Sequence, residues 1–143
     1  MAEAIKQYCT FYLDDMFFGV EVGRVQEVLR YEEMTPVPLA SDVMRGLINL
    51  RGLIVPALDL RRRLDYEPLE EGKKPMNVVV RYNGEPVSLL VDKIGDVLDV
   101  EEGSFESPPE TLKGKAKEII TGAYKLPDCL LLALNVDQIF KGL

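Results

Sequence analysis

Residues Met44–Leu64 read MRGLINLRGLIVPALDLRRRL, the densest apolar run in the chain. The run folds back on itself at Arg51-Gly52. Leu47–Leu50 and Leu53–Leu58 are predicted as the two strands of a hairpin about that Gly-containing tip. Both are apolar nearly throughout instead of alternating. This predicts strands covered on both faces, as in a closed barrel or a packed sandwich. Pro56 inside the second strand argues for an edge or bulge position. One charge, Arg51, stands at the tip. Such a ribbon is either plain architecture or a device for holding one charge against a partner.

Upstream, Gln7–Leu13 alternates, with Cys9, Phe11 and Leu13 on one face and Tyr8, Thr10 and Tyr12 on the other. Asp14-Asp15 turns the chain and Met16–Val22 returns as a second strand. Gly23–Arg30 is predicted as a short helix, because Val22 just before it and Val25, Val28 and Leu29 within it fall at helical spacing. Tyr31–Val37 must be extended by its end, because Pro36 and Pro38 forbid helix there. Ser41 or Asp42 offers an N-cap for a single turn through Met44, and Asp59 caps another over Leu60–Leu64.

Downstream, Asp65–Pro75 is polar and rich in charge, Pro and Gly, and is the best linker candidate. Met76–Tyr82 and Glu85–Asp92 flank Asn83-Gly84, the strongest hairpin dipeptide available. Ile94–Val100 reads as another strand and Glu101–Gly114 as an acidic surface loop with one helical turn. Ala116–Tyr124 and Cys129–Leu134 predict a last hairpin, and Asn135 caps a short terminal helix through Phe140. Roughly nine or ten short strands at even spacing, with little helix, mean a barrel or sandwich. A subdomain crossover is expected near residues 65–75, with the C-terminal strands free to return to the first barrel.

At 143 residues, 47% apolar, the chain fits one domain or two small subdomains sharing a core. The net charge of −7 repels phosphate backbones, so nucleic acid is not an expected partner. Arg61-Arg62-Arg63 reads as a solvated face at an element's end. The two cysteines, Cys9 and Cys129, lie far apart in apolar runs and read as buried free thiols. MAEAIKQYCTFYL lacks the apolar core of a signal peptide, and no apolar run approaches membrane-spanning length. A soluble, cytoplasmic protein without membrane insertion is expected.

The chain has no His, which removes the commonest general base, the Ser-His and Cys-His pairs and the usual zinc ligand. The adjacent acids Asp14-Asp15, Glu32-Glu33, Glu70-Glu71 and Glu101-Glu102 read as solvated turn charge, since a working carboxylate pair must converge on one site from different environments. No glycine motif cradles a phosphate and no ligand spacing suits a metal. No cofactor, metal or catalytic residue is expected. Three blocks remain: Val25-Gln26-Glu27, Asn49-Leu50-Arg51-Gly52, and Leu90 through Val97. On chemistry alone each is ordinary structure, Glu27 a solvated acid, Arg51 a surface ion-pair partner, Ile94 and Val97 core.

VEVGRVQEVLRYEEMTPVP, then RGLINLRGLIVPALDLRRRL, then SLLVDKIGDVLDV, resemble in order and spacing the CheW family of bacterial chemotaxis adaptors. The segment Asn49–Arg61, of the form NLRG-x-I-V-P-x-x-D-L-R, is the most specific part. The same domain occurs in CheA kinases and CheV. With no receiver or kinase domain here, a stand-alone adaptor fits best. The resemblance implies an all-β fold of two SH3-like, five-stranded barrels on a shared apolar core. It implies a non-enzymatic scaffold that couples the cytoplasmic tip of a methyl-accepting chemoreceptor to the regulatory domain of the histidine kinase CheA, at membrane receptor arrays. Matching motifs assign Val25, Glu27, Arg51, Ile94 and Val97 to a receptor groove between the subdomains. They assign Tyr31, Met34, Gly46 and Gly122 to the kinase-facing side. The rival reading is a CheW-like adaptor of a non-chemotaxis receptor–kinase array.

Overall fold

The computed structural model describes residues 4–37, 42–112 and 114–141. Their strands are β1 (Ile5–Leu13), β2 (Met16–Glu21), β3 (Val25–Leu29), β4 (Met44–Leu50), β5 (Leu53–Asp59), β6 (Met76–Tyr82), β7 (Glu85–Val91), β8 (Lys93–Glu101), β9 (Phe105–Glu106), β10 (Ile120–Lys125) and β11 (Leu130–Leu134). Three short helices are α1 (Leu60–Arg63), α2 (Gly114–Ile119) and α3 (Val136–Phe140). The strands form two sheets, in the orders β8-β1-β2-β11-β10-β9 and β3-β6-β7-β5-β4.

Both sheets curl until their edges approach. The chain leaves β8, one edge of the first sheet, and enters β9, the other edge, through only the 3-10 turn Glu102–Ser104. Six strands lying flat would separate those edges by about 24 Å, twice what three residues reach. In the second sheet, Thr35 follows the edge strand β3 and pairs with Leu47 of the opposite edge, each amide 2.8 Å from the other's carbonyl.

Apolar side chains divide accordingly. Tyr8, Phe17, Val100, Tyr124, Leu131 and Ala133 pack within the first sheet. Ile48, Leu50, Val55, Ala57, Val79 and Leu90 pack within the second. A larger cluster, including Phe11, Phe18, Leu58, Val78, Leu89 and Leu132, joins the two. Neighbouring residues such as Val78 and Val79 therefore enter different cores, which is why these strands lack simple alternation.

The central hairpin forms at Arg51-Gly52, and Asn83-Gly84 forms the next; all four tip residues have positive φ, as mirror-image two-residue turns require. Asp59 caps α1 through the Arg62 amide and Asn135 caps α3 through the Gln138 amide. The tip half of β5 departs from the expected two-sided burial, with Leu53 51% and Ile54 57% exposed. Pro56 lies in an interior strand, not at an edge. It immediately precedes Ala57, where pairing with β7 begins, so its missing N–H interrupts no bond on that side.

Four other expectations are corrected. Residues 23–30 are not a helix: a 3-10 turn, Val22–Arg24, leads into β3, which pairs with β6. A register shift between Val25 and Glu27 breaks the strand period and mimics helical spacing, while valines facing valines favour the sheet. Asp42-Val43 is a turn that enters β4 directly, and Ser41 lies outside the described residues. The stretch from Ala116 begins as helix α2 and becomes strand only at Ile120, which buries both Ile119 and Ile120. Cys129 is exposed, beside the turn of its hairpin, and Cys9 is half-buried.

Residues 65–75 do not separate the sheets, since β5 and β6 on either side belong to the same one. The chain changes sheet at Val22–Arg24 and again at Asp92. The first sheet is built from both ends of the chain, with β9, β10 and β11 joining β1 and β2.

Candidate functional site

Arg51 occupies a left-handed backbone conformation, φ 52°, at the tip of the β4–β5 hairpin. The other non-glycine residues with positive φ among those described are Asp14, Asp65 and Asn83, whose short polar side chains tolerate it. Arginine has no such advantage, since its Cβ crowds the carbonyl there. Asn49 supports the turn by accepting a 2.8 Å hydrogen bond from the Gly52 amide. The Arg51 guanidinium then forks onto Glu27 of β3, Nη1 to Oε1 at 3.0 Å and Nη2 to Oε2 at 2.5 Å. Those hydrogen bonds hold the Glu27 carboxyl below its usual range. Strained backbone at a charged, exposed tip points to function.

The five receptor-groove candidates divide between the sheets. Val25 and Glu27 lie on β3 and Arg51 at the end of β4; Ile94 and Val97 lie on β8. β3 and β8 are each the edge strand entered directly after a passage between sheets, so both groups start at the seam. Val25 and Ile94 are half-buried against the joining core. Val97 is 55% exposed, which removes it from the core and leaves an apolar surface on an edge strand. Leu53 and Ile54 add apolar surface beside Arg51, which the apolar run had concealed as core.

The kinase-facing candidates separate differently. Tyr31, Met34 and Gly46 lie in or beside the second sheet and Gly122 in β10 of the first. Tyr31 is half-buried beneath the Lys74 ammonium, 5.0 Å from its ring centre. Met34 packs on the second sheet's core. Gly46 is buried, and a Cβ there would lie 2.6 Å from the Thr35 carbonyl oxygen. Gly122 is likewise buried under Phe105, with the Glu106 carbonyl 2.5 Å from where its Cβ would be. Both glycines permit close backbone approach, so their influence on any partner passes through the segments they let in.

The sequence reading missed a second polar cluster. Arg61 and Arg63 are not a solvated face: each is 6% exposed. Arg61 Nε donates to Asp92 Oδ1 at 2.7 Å and Nη2 to Asp92 Oδ2 at 2.6 Å; Nη2 also meets Asp14 Oδ1. Arg63 donates to the carbonyls of Gln138, Ile139 and Lys141, closing the end of α3. Asp14, read as turn charge, is thus an ion-pair partner. The available signal was Asp92 itself, a carboxylate directly after the apolar run SLLV. Among the described residues no group of His, Cys, Asp and Glu is placed to hold a metal ion, and no helix is long and apolar enough to cross a membrane.

The likeness to known proteins covers the whole fold. "Chemotaxis protein CheW" of Treponema pallidum is 27% identical over 140 residues, spanning 95% of this chain and 82% of that one. "Chemotaxis protein CheW" of Thermotoga maritima is 28% identical over 99% of this chain and 93% of its own length. The crystal structure of scaffolding protein TtCheW from Thermoanaerobacter tengcongensis superposes with a TM-score of 0.85 at 26% identity, covering 96% of this chain and 94% of that one. The CheW-like domain family matches residues 7–143, and the chain belongs to that family.

Proposed function

We propose that this protein is a non-enzymatic coupling scaffold of chemotaxis that links methyl-accepting chemoreceptors to the histidine kinase CheA. The observation that carries the reading is Arg51, held in left-handed backbone at a hairpin tip and forked onto Glu27. It is flanked by exposed Leu53 and Ile54, and family membership supplies the partners. A receptor's cytoplasmic tip is an amphipathic helical hairpin, and docking it takes apolar floor positions with a charge that fixes register. Val25, Ile94 and Val97 supply the floor; Glu27 and Arg51 supply the charge. The regulatory domain of CheA docks on the side of Tyr31, Met34 and Gly46, with Gly122 acting through β9.

The test is Arg51→Glu, titrated with a receptor signalling-tip fragment and, separately, with the CheA regulatory domain. Receptor affinity falls while kinase affinity and thermal midpoint hold. Unchanged receptor affinity, or a wild-type chain that binds neither partner at tens of micromolar, overturns the reading.

A further inference from the structure

The seam between the sheets holds a polar cluster that the proposed partner contacts do not use. Arg61 is the second residue of α1, directly after β5, in the second sheet's part of the chain. Its guanidinium reaches Asp92, where the chain passes from β7 to β8, and Asp14, in the β1–β2 turn of the first sheet. Its Nη1 donates to the Glu67 carbonyl at 2.6 Å, which ties down the 65–75 segment. The Asp14 amide donates to Asp92 Oδ2 at 2.7 Å, and the Asp92 amide to the Tyr12 carbonyl at 3.0 Å. One buried side chain therefore holds both sheets and the passage between them.

The joining core alone does not fix an angle. Apolar burial is non-directional, so it rewards contact between the faces without naming one angle. A forked arginine–carboxylate pair demands one geometry. Buried ion pairs add little net stability over well-packed apolar replacements, and their best-attested use is to select one arrangement among several. Asp92 also directly precedes β8, which starts at Lys93, and lies two positions before Ile94. A shift at Asp92 therefore moves the strand that carries Ile94 and Val97.

We infer that Arg61, Asp92 and Asp14 form a clasp that sets the angle between the sheets and thereby aligns the two halves of the receptor surface. This rests on the reading of that surface as Val25, Glu27 and Arg51 from one sheet with Ile94 and Val97 from the other. Three of the four kinase-facing positions, Tyr31, Met34 and Gly46, lie in or beside the second sheet, so their mutual placement does not depend on the clasp; Gly122, in β10, lies in the first. Arg61 and Asp92 are therefore positioning residues mainly for receptor docking, and reach the kinase side only through Gly122.

The experiment uses the full chain carrying Arg61→Lys or Asp92→Asn. Asp14→Asn, at a side chain more than half exposed, is the milder third variant should the others fail to fold. Each is titrated with a receptor-tip fragment and with the CheA regulatory domain, and amide residual dipolar couplings are fitted sheet by sheet. Receptor affinity is expected to fall roughly tenfold, a typical coupling between linked sites, with a much smaller loss of kinase affinity. The two sheets, which share one alignment tensor in the wild type, then require two. Equal loss of both affinities makes the cluster ordinary structure and overturns the inference; unchanged receptor affinity with one shared tensor also overturns it. Arg51→Glu runs alongside. If that variant binds receptor normally, the surface reading fails, and the dipolar couplings alone then decide the clasp.

Discussion

Arg63 Nε lies 2.6 Å from the carbonyl oxygen of Ile139, so a side chain leaving the second sheet closes the helix that ends the first. Arg63→Met fills similar volume but leaves the carbonyls of Gln138, Ile139 and Lys141 without that donor. It is expected to cost ~2–4 kcal/mol in urea unfolding, with faster hydrogen exchange in α3. Arg62→Ala, at the neighbouring exposed position with only a 3.6 Å pair to Asp42, is expected to change stability by less than ~0.5 kcal/mol. Similar losses from both would refute the assignment of Arg63.

Arg51→Asn separates conformation from recognition. Asparagine accepts positive φ more readily than arginine, so the turn relaxes. The guanidinium is lost, and with it the fork onto Glu27. Differential scanning calorimetry is expected to show an unchanged or raised midpoint while receptor-tip affinity falls. A lowered midpoint would mean that the fork holds the hairpin in place.

Gly46→Ala probes the closure of the second sheet. The added methyl carbon meets the Thr35 carbonyl at 2.6 Å, so the paired Thr35 and Leu47 amides must part. A loss of ~1–3 kcal/mol is expected, the usual range for overpacking. Hydrogen exchange at those two amides should accelerate first, and affinity for the CheA regulatory domain should fall as the segment bearing Tyr31 and Met34 moves. Unchanged protection at Thr35 and Leu47 would exclude this route.

Asp92 gives the clasp an acid limit. Burial works against its ionisation, but hydrogen bonds from Arg61 and the Asp14 amide, with the Arg61 charge, hold the carboxyl below its usual range. In the unfolded chain it titrates at ~4, so that chain takes up the proton first as pH falls. The stability Asp92 contributes is complete above that value and is lost as pH drops through the lower folded pKa. Urea midpoints measured down through this window should decline less steeply in Asp92→Asn than in the wild type. Equal slopes would show no depressed carboxyl at this position.

Local chemistry was legible wherever one residue type has one use. Asn83-Gly84 could only turn, and Asp59 and Asn135 could cap, because backbone geometry there is set within a few residues. Arg61-Arg62-Arg63 is the opposite case. Successive residues on one helical turn point about 100° apart. Three identical letters therefore meet an inter-sheet carboxylate, solvent and a distant helix end. Nothing local separates them. β3 was hidden by its own register shift, and exposed Leu53 and Ile54 were hidden by the apolar run they extend. Family motifs singled out Glu27 and Arg51, and the fold brings those two side chains together at the strained tip. Asp14 and Asp92 are joined only by the passage between sheets, which no stretch of sequence displays.

That passage also imposes an order of assembly. The second sheet is built from one continuous span, β3 through β7, and its pairings are available once that span exists. The first sheet must wait. Its strand β2 pairs in parallel with β11, Leu131 against Phe17, across most of the chain. Such distant pairing is slow because a long loop must close before any contact rewards it. During synthesis the N-terminal hairpin of β1 and β2 emerges first and stays half-paired the longest. Its β2 edge gains its partner only when β11 exists, so the last strand of the chain is the one that covers it.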